Sequence, residues 1–290
     1  DYGTLVHEAL HQWLDPQGAG YAALIAGDEQ KAHEVLGEAA RSRFERGFEE
    51  MPQRRLWFES FRGTIGALVK YEMARFVDWR PVALEQGFEL SLPLMREWAL
   101  TQAAAVGCDV DLPELPDYAQ KILLRGTVDR VDLHQDGTGH VGVIDYKTGK
   151  IPSRGKVVEL EEMQILLYAV AAEMGGLDLP GTRPQVREAF YYAVKPDNPG
   201  GPTKPHLADE VEGSRELLVR GAAKLIELAV EAANPKGAFP VLPREMAGTA
   251  PTNLPCRYCD FRGVCRVEEL AVPPGTERKL DKLVNRKDQG

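Results

Sequence analysis

The sequence predicts an α/β fold: a mixed central sheet flanked by helices, with a helical N-terminal part and a cysteine-rich C-terminal segment. Three observations lead there. Residues 126–133 and 141–149 read as adjacent β-strands, rich in Val and Ile around Asp129 and Asp145, with Asp136-Gly137-Thr138-Gly139 as turn chemistry between them. The order of hairpin, helix, strand and helix through the second half fits a mixed sheet with helices on its faces. Three of the four cysteines crowd into 256–265, a stretch without regular periodicity.

Taken in order, residues 4–14 read as a helix, with Val6, Leu10, Trp13 and Leu14 on one stripe and Asp15-Pro16-Gln17-Gly18 ending it. Residues 28–47 and 54–79 also read as helices. In the second, Phe58, Phe61, Ile65 and Leu68 repeat at helical spacing, with Val69, Met73 and Phe76 nearby, so this helix buries a wide face. Pro81 is expected to end it and 83–94 to form the first strand. Residues 96–118, with Pro113 and Pro116 and no clear period, read as an insertion or loop. After the hairpin, 159–174 is expected to be a helix, 186–194 a strand, 196–205 a Pro/Gly-rich loop and 211–233 a long helix.

At 290 residues and 43% hydrophobic content the chain can pack one large domain or two. It holds no run of about 18 apolar residues, so no membrane span is expected, and it starts with no basic-then-apolar leader. Its opening in mid-motif at Asp1-Tyr2-Gly3-Thr4 suggests a fragment of a longer protein. A net charge of -9 weighs against a nucleic-acid binder unless the basic residues gather along one groove. Arg154, Lys156, Lys195 and Lys204 could line such a groove, or be scattered solvated charges.

Asp145 and Lys147, two apart on a strand, leave the same face, and the hairpin brings Asp129 beside them. Two carboxylates next to an ammonium suit a hard divalent cation; the bland alternative is a surface cross-strand ion pair. Asp132 falls on the opposite side of the strand and reads as structural. His7-Glu8-Ala9-Leu10-His11 matches the helical H-E-x-x-H of zinc peptidases. No third ligand follows in recognisable context, Glu29 and Glu34 being unplaced, and that reading leaves Asp129, Asp145 and Lys147 without a role. The close thiols Cys256, Cys259 and Cys265 suit either zinc or an iron–sulfur cluster. Cys108 is either a fourth ligand or a free thiol.

Gly126-Thr127-Val128-Asp129, the hairpin and Ile144-Asp145-Tyr146-Lys147-Thr148-Gly149 together resemble the core of the PD-(D/E)xK nuclease superfamily in its RecB/AddB-like branch. Gly3-Thr4-Leu5-Val6-His7, Gln164-x-x-x-Tyr168 and Cys256-x2-Cys259-x5-Cys265 match further motifs in order, so the resemblance spans almost the whole chain. It implies a restriction-endonuclease-like fold over 1–270, with a helical part to about residue 80, a catalytic core at about 83–233 and a basic tail or linker at 271–290. It further implies Mg²⁺ or Mn²⁺ held by His7, Asp129, Asp145 and the Tyr146 carbonyl, with Lys147, Gln164 and Tyr168 completing the catalytic set. A [4Fe–4S] cluster on Cys256, Cys259 and Cys265 is implied as well. The family's fourth cysteine precedes the histidine helix, a position before residue 1, so the cluster would be incomplete here. The expected function is a cytoplasmic DNA exonuclease working with a separate or fused helicase in double-strand-break repair. A CRISPR-adaptation-type nuclease and a catalytically silent DNA-end-binding module are the alternatives.

Overall fold

The first helix begins because Asp1 caps it, its carboxylate accepting from the Thr4 amide at 2.9 Å. In the computed structural model, which describes residues 1–46, 48–49, 51–180, 184–195, 201–208 and 211–235, α1 (Tyr2–Leu14) buries Leu5, Val6, Ala9, Leu10, Trp13 and Leu14 along one side. It packs with α2 (Ala19–Ala26), α3 (Glu29–Phe44), α4 (Gln53–Arg62) and α5 (Ile65–Arg75) into an N-terminal helical layer. The expected helix over 54–79 is thus two. Thr64, fully buried with its hydroxyl donating to the Phe61 carbonyl at 2.7 Å, takes the chain through a bend between them.

The sheet follows as β1 (Trp79–Ser91), β2 (Leu123–His134), β3 (His140–Lys147), β4 (Gln185–Ala193) and the two-residue β5 (Gly201–Pro202) and β6 (Leu207–Ala208). The order is β1-β2-β3-β4-β5, with β6 also on β4. β1, β2 and β3 run antiparallel, and β4 runs parallel to β3. That parallel step needs a crossover, supplied by α7 (Arg154–Val158) and α8 (Gln164–Glu173). The sheet is therefore mixed, as its sequence predicts. β1 starts earlier than expected and carries Pro81, which this edge strand tolerates beside a bulge between Pro81 and Ala83.

Alternation sends neighbouring side chains to opposite layers. On β3, Ile144 and Tyr146 face the N-terminal helices, while Val141 and Val143 join a second core with α8, α6 (Leu92–Val106) and α9 (Ser214–Ala233). α6 corrects the end of the strand expected over 83–94 and the first part of the loop expected over 96–118: β1 stops at Ser91 and a helix follows to Val106, while residues 108–116 are irregular as expected. Leu92, Met95, Ala99 and Ala103 form its buried stripe, but Leu94 and Leu100 are exposed on the other side and blur the period. The helix expected over 159–174 starts only at Gln164.

Beneath the sheet lies a buried ion network. Arg130 has no exposed surface; its guanidinium donates to both Glu72 oxygens at 2.6 and 2.9 Å, to both Asp132 oxygens at 2.6 and 3.0 Å, and to the Tyr146 hydroxyl at 2.8 Å. Arg75 bridges Asp132 and Glu188, lying over the Trp79 and Phe190 rings. Gly142 makes room for it: a Cβ there would stand 2.7 Å from Arg75 Nη2. Burial alone would raise the Asp132 pKa, but Arg130 and Arg75 hold it below the usual carboxylate range. Its stabilising share is full above the ordinary carboxylate pKa and is lost as pH falls through the depressed one.

The chain divides into a unit Asp1–Asn234 and a second, Pro235–Gly290. Cys256, Cys259, Cys265 and the tail 271–290 lie outside the described residues. Removing one member of a buried ion network leaves the others uncompensated, so Arg130→Met should cost about 3–5 kcal/mol in urea unfolding. A loss below about 1 kcal/mol would show that the network does not hold the layers together.

Candidate metal and catalytic site

The site forms where β1, β2 and β3 meet α1. The Gly3 position brings the start of α1 against the end of β3, since a Cβ there would lie 3.3 Å from Thr148 Oγ1. One turn on, His7 reaches in from α1. Its Nδ1 stands 2.9 Å from Glu85 Oε1 and 3.8 Å from Asp129 Oδ2, and its Nε2 is 3.2 Å from the Tyr146 carbonyl oxygen. Both ring nitrogens face acceptors. Burial pulls the imidazole pKa down, but the Glu85 hydrogen bond and the charges of Asp129 and Glu85 outweigh it and raise the pKa. For either nitrogen to ligate a metal, its proton must leave.

Asp129 accepts from the Tyr146 amide at 2.8 Å. Asp145, wholly buried, sits with its Oδ2 2.6 Å from Lys147 Nζ, while its Oδ1 accepts no hydrogen bond among the described residues. Burial raises the pKa of both carboxyls; the Asp145 charge lifts Asp129 further, and Lys147 only partly offsets the burial of Asp145. A crowded buried carboxylate pair with an unused oxygen is electrostatically incomplete, and a divalent cation supplies the missing charge. His7, Glu85 and Asp129 each offer a ligand atom within 4.8 Å of the others. The donor set of imidazole and carboxylates suits a hard to borderline cation.

Glu85 is the residue the sequence did not reveal. Leu84↔Arg130 and Gln86↔Val128 pair on either side of it, so β1 delivers it opposite Asp129. Its φ of 47° is in the left-handed region, which costs a non-glycine residue about 1–3 kcal/mol. Only the β1–β2 register could have pointed to it, and that register is set by a bulge near Pro81.

The other expected residues do assemble. Lys147 Nζ donates to Gln164 Oε1 at 2.7 Å, and Gln164 Nε2 donates to the Tyr168 hydroxyl at 2.8 Å. Because the lysine can only donate, the Gln164 amide is fixed with its oxygen toward Lys147. Burial, with the charges of Asp129, Asp145 and Glu85, pushes Tyr168 up to about 12 against the Gln164 hydrogen bond, so it keeps its proton. Phe88 packs edge-on to Tyr168 with centroids 6.0 Å apart, and its ring covers Gly126, where a Cβ would stand 2.7 Å from Cζ. The motif glycine thus makes room for the ring that backs Tyr168. By contrast, Glu8 pairs with Arg43, and His11, though it lines a cleft with Asp15 and 82–87, offers no atom to the His7, Glu85 and Asp129 cluster. Asp132 lies in the ion network on the other face, as its spacing implies.

An aspartate on one strand and Asp-x-Lys at the end of its neighbour, on a mixed sheet with helices over both faces, define a class of phosphodiester-cutting enzymes. The chain belongs to the PD-(D/E)XK nuclease superfamily, whose model matches residues 1–266. It is 28% identical over 284 residues to an ATP-dependent helicase/deoxyribonuclease subunit of Symbiobacterium thermophilum, covering 80% of this chain and 23% of that protein. It is also 40% identical over 83 residues to an ATP-dependent helicase/nuclease subunit of Ruminiclostridium cellulolyticum, covering 28% and 6% of the two chains. The chain therefore spans less than a quarter of the length of either relative. No helix among the described residues is long and apolar enough to cross a membrane.

Glycine adopts the Glu85 backbone conformation without strain. Glu85→Gly should therefore match or exceed wild-type stability in thermal melts with chelator, while Mn²⁺ affinity in a direct titration falls at least about tenfold. Unchanged Mn²⁺ affinity would remove Glu85 from the site.

Proposed function

We propose that this chain is a Mg²⁺- or Mn²⁺-dependent deoxyribonuclease domain, with His7, Asp129, Asp145 and the Tyr146 carbonyl as metal ligands and Glu85 beside them. The observation that carries the reading is the buried Asp129–Asp145 pair, which meets His7 on one side and Lys147 on the other. A divalent cation bound there supplies Lewis acidity to the phosphate and lowers the pKa of water.

The protein's own groups do the rest. Asp145 and Gln164 hold the Lys147 ammonium between them, leaving it one N–H for the attacking water or for charge developing on the phosphate. Tyr168 accepts from Gln164 and retains a hydroxyl proton to donate toward the reacting groups. The rigid chain from Lys147 through Gln164 to Tyr168 orients these donors before substrate arrives, which is where such groups lower a barrier.

The names of the relatives support a finer reading. The domain acts as the nuclease part of a helicase–nuclease, degrading DNA ends opened by a helicase partner in double-strand-break repair. Cys256, Cys259 and Cys265 hold a [4Fe–4S] cluster that needs a fourth ligand from outside that motif.

Purified protein with end-labelled single- and double-stranded DNA tests the reading directly. Cleavage should require Mg²⁺ or Mn²⁺ and stop with chelator. Asp145→Ala and Lys147→Ala should each lower the rate at least about 10³-fold, with circular dichroism unchanged. Cleavage that survives Asp145→Ala would place the chemistry elsewhere.

A further inference from the structure

One buried histidine has no role in the chemistry above. His206 is 3% exposed, and neither ring nitrogen has a hydrogen-bond partner among the described residues. The chain fixes it firmly: the His206 amide donates to the Ala189 carbonyl at 2.8 Å, and Thr203 brackets Tyr191 by an amide-to-carbonyl bond of 2.8 Å. A buried polar ring with both nitrogens idle costs free energy unless something else meets it.

The ring lines a cleft of about 370 Å³ whose wall also contains Arg154, Arg220 and the start of α9 at Gly213 and Ser214. That helix is 20 residues long, its cap residue Gly213 has φ 78°, and no side chain caps its first amides. The Ser214 amide donates to the Val211 carbonyl at 3.1 Å, but the Arg215 and Glu216 amides, which no side chain caps, the helix dipole and two guanidinium groups favour an anion. The same groups disfavour a cation, although Glu212 and Glu216 also line the cleft. Burial, then the Arg154 charge, pull the imidazole down to about 4, so the ring is neutral and keeps one N–H to donate.

One buried ring, Tyr191, separates His206 from the lysine proposed for catalysis. Lys147 Nζ lies 5.4 Å from the centre of the Tyr191 ring, and the other side of the contact chain is the His206 ring, edge-on to Tyr191 at 5.0 Å. We propose that His206, Arg154, Arg220 and the α9 amides form a phosphate subsite that holds the nucleic-acid strand beside the bond being cut. This rests on the nuclease reading for the identity of the strand, while the anion site stands on the cleft itself.

The test pairs binding with cleavage. Anisotropy of a labelled oligothymidylate is measured in chelator, and cleavage in Mg²⁺, for wild type, Arg154→Gln, His206→Gln and Asp145→Ala. Arg154 is exposed, so its variant is expected to fold even if the His206 one does not. The two subsite variants should bind about five- to tenfold more weakly and raise KM with kcat nearly unchanged; Arg154→Gln should also lower the slope of log affinity against log salt by about one, whereas His206→Gln, which removes no charge, should leave the slope as it is. Asp145→Ala should bind as wild type and not cut. Should wild type bind without cutting while Arg154→Gln loses affinity, the subsite stands and the nuclease reading falls. Wild-type affinity and salt slope in Arg154→Gln would overturn the subsite. So would a cleft that only captures inorganic phosphate, seen as a melting shift with phosphate that Arg154→Gln abolishes while oligonucleotide binding is untouched.

Discussion

Arg130 keeps a full charge with no access to water, and the arrangement of the molecule depends on how that charge is satisfied. Its donors reach Glu72 on α5, Asp132 on its own strand and the Tyr146 hydroxyl on β3. Burial works against the charge, yet Asp132 and Glu72 raise its pKa well above the ordinary arginine value. A planar fork with five N–H groups makes all five of these bonds, where an ammonium has only three to give. The helical layer, the sheet and the residues flanking the site are thereby fixed to one another. Arg130 follows Asp129 directly, and Tyr146 follows Asp145.

Much of the site was legible because its residues sit on strands. Asp129, Asp145 and Lys147 follow from a period of two and a short turn, and Gln164 and Tyr168 from a spacing of four. These local rules survive folding unchanged. Glu85 was not legible because its place depends on the register of a distant strand and on a backbone angle that its residue type disfavours. His7 was legible only through its motif; periodicity places it beside the α1 stripe but does not say what it meets.

The fold is legible where burial contrast is strong and obscure where it is weak. α6 escapes a periodicity reading since alanines and exposed leucines flatten its pattern. One expected helix is instead α4 and α5 because Thr64 turns inward at a glycine-threonine pair that a hydrophobic stripe passes over without a break. In both cases tertiary packing, rather than local preference, decides the outcome.

The alternation on β2 also bears on how the strand finds its place. Asp129 looks toward His7 and the candidate cation site while Arg130 looks into the ion network on the opposite face. A slip of one residue would send each to the opposite face, leaving Glu72 to meet a carboxylate in place of the guanidinium that neutralises it, and taking the Asp129 carboxylate from beside His7 and Asp145. The charges make the wrong pairing self-rejecting, so the residues that serve chemistry and those that serve stability proofread one another during assembly.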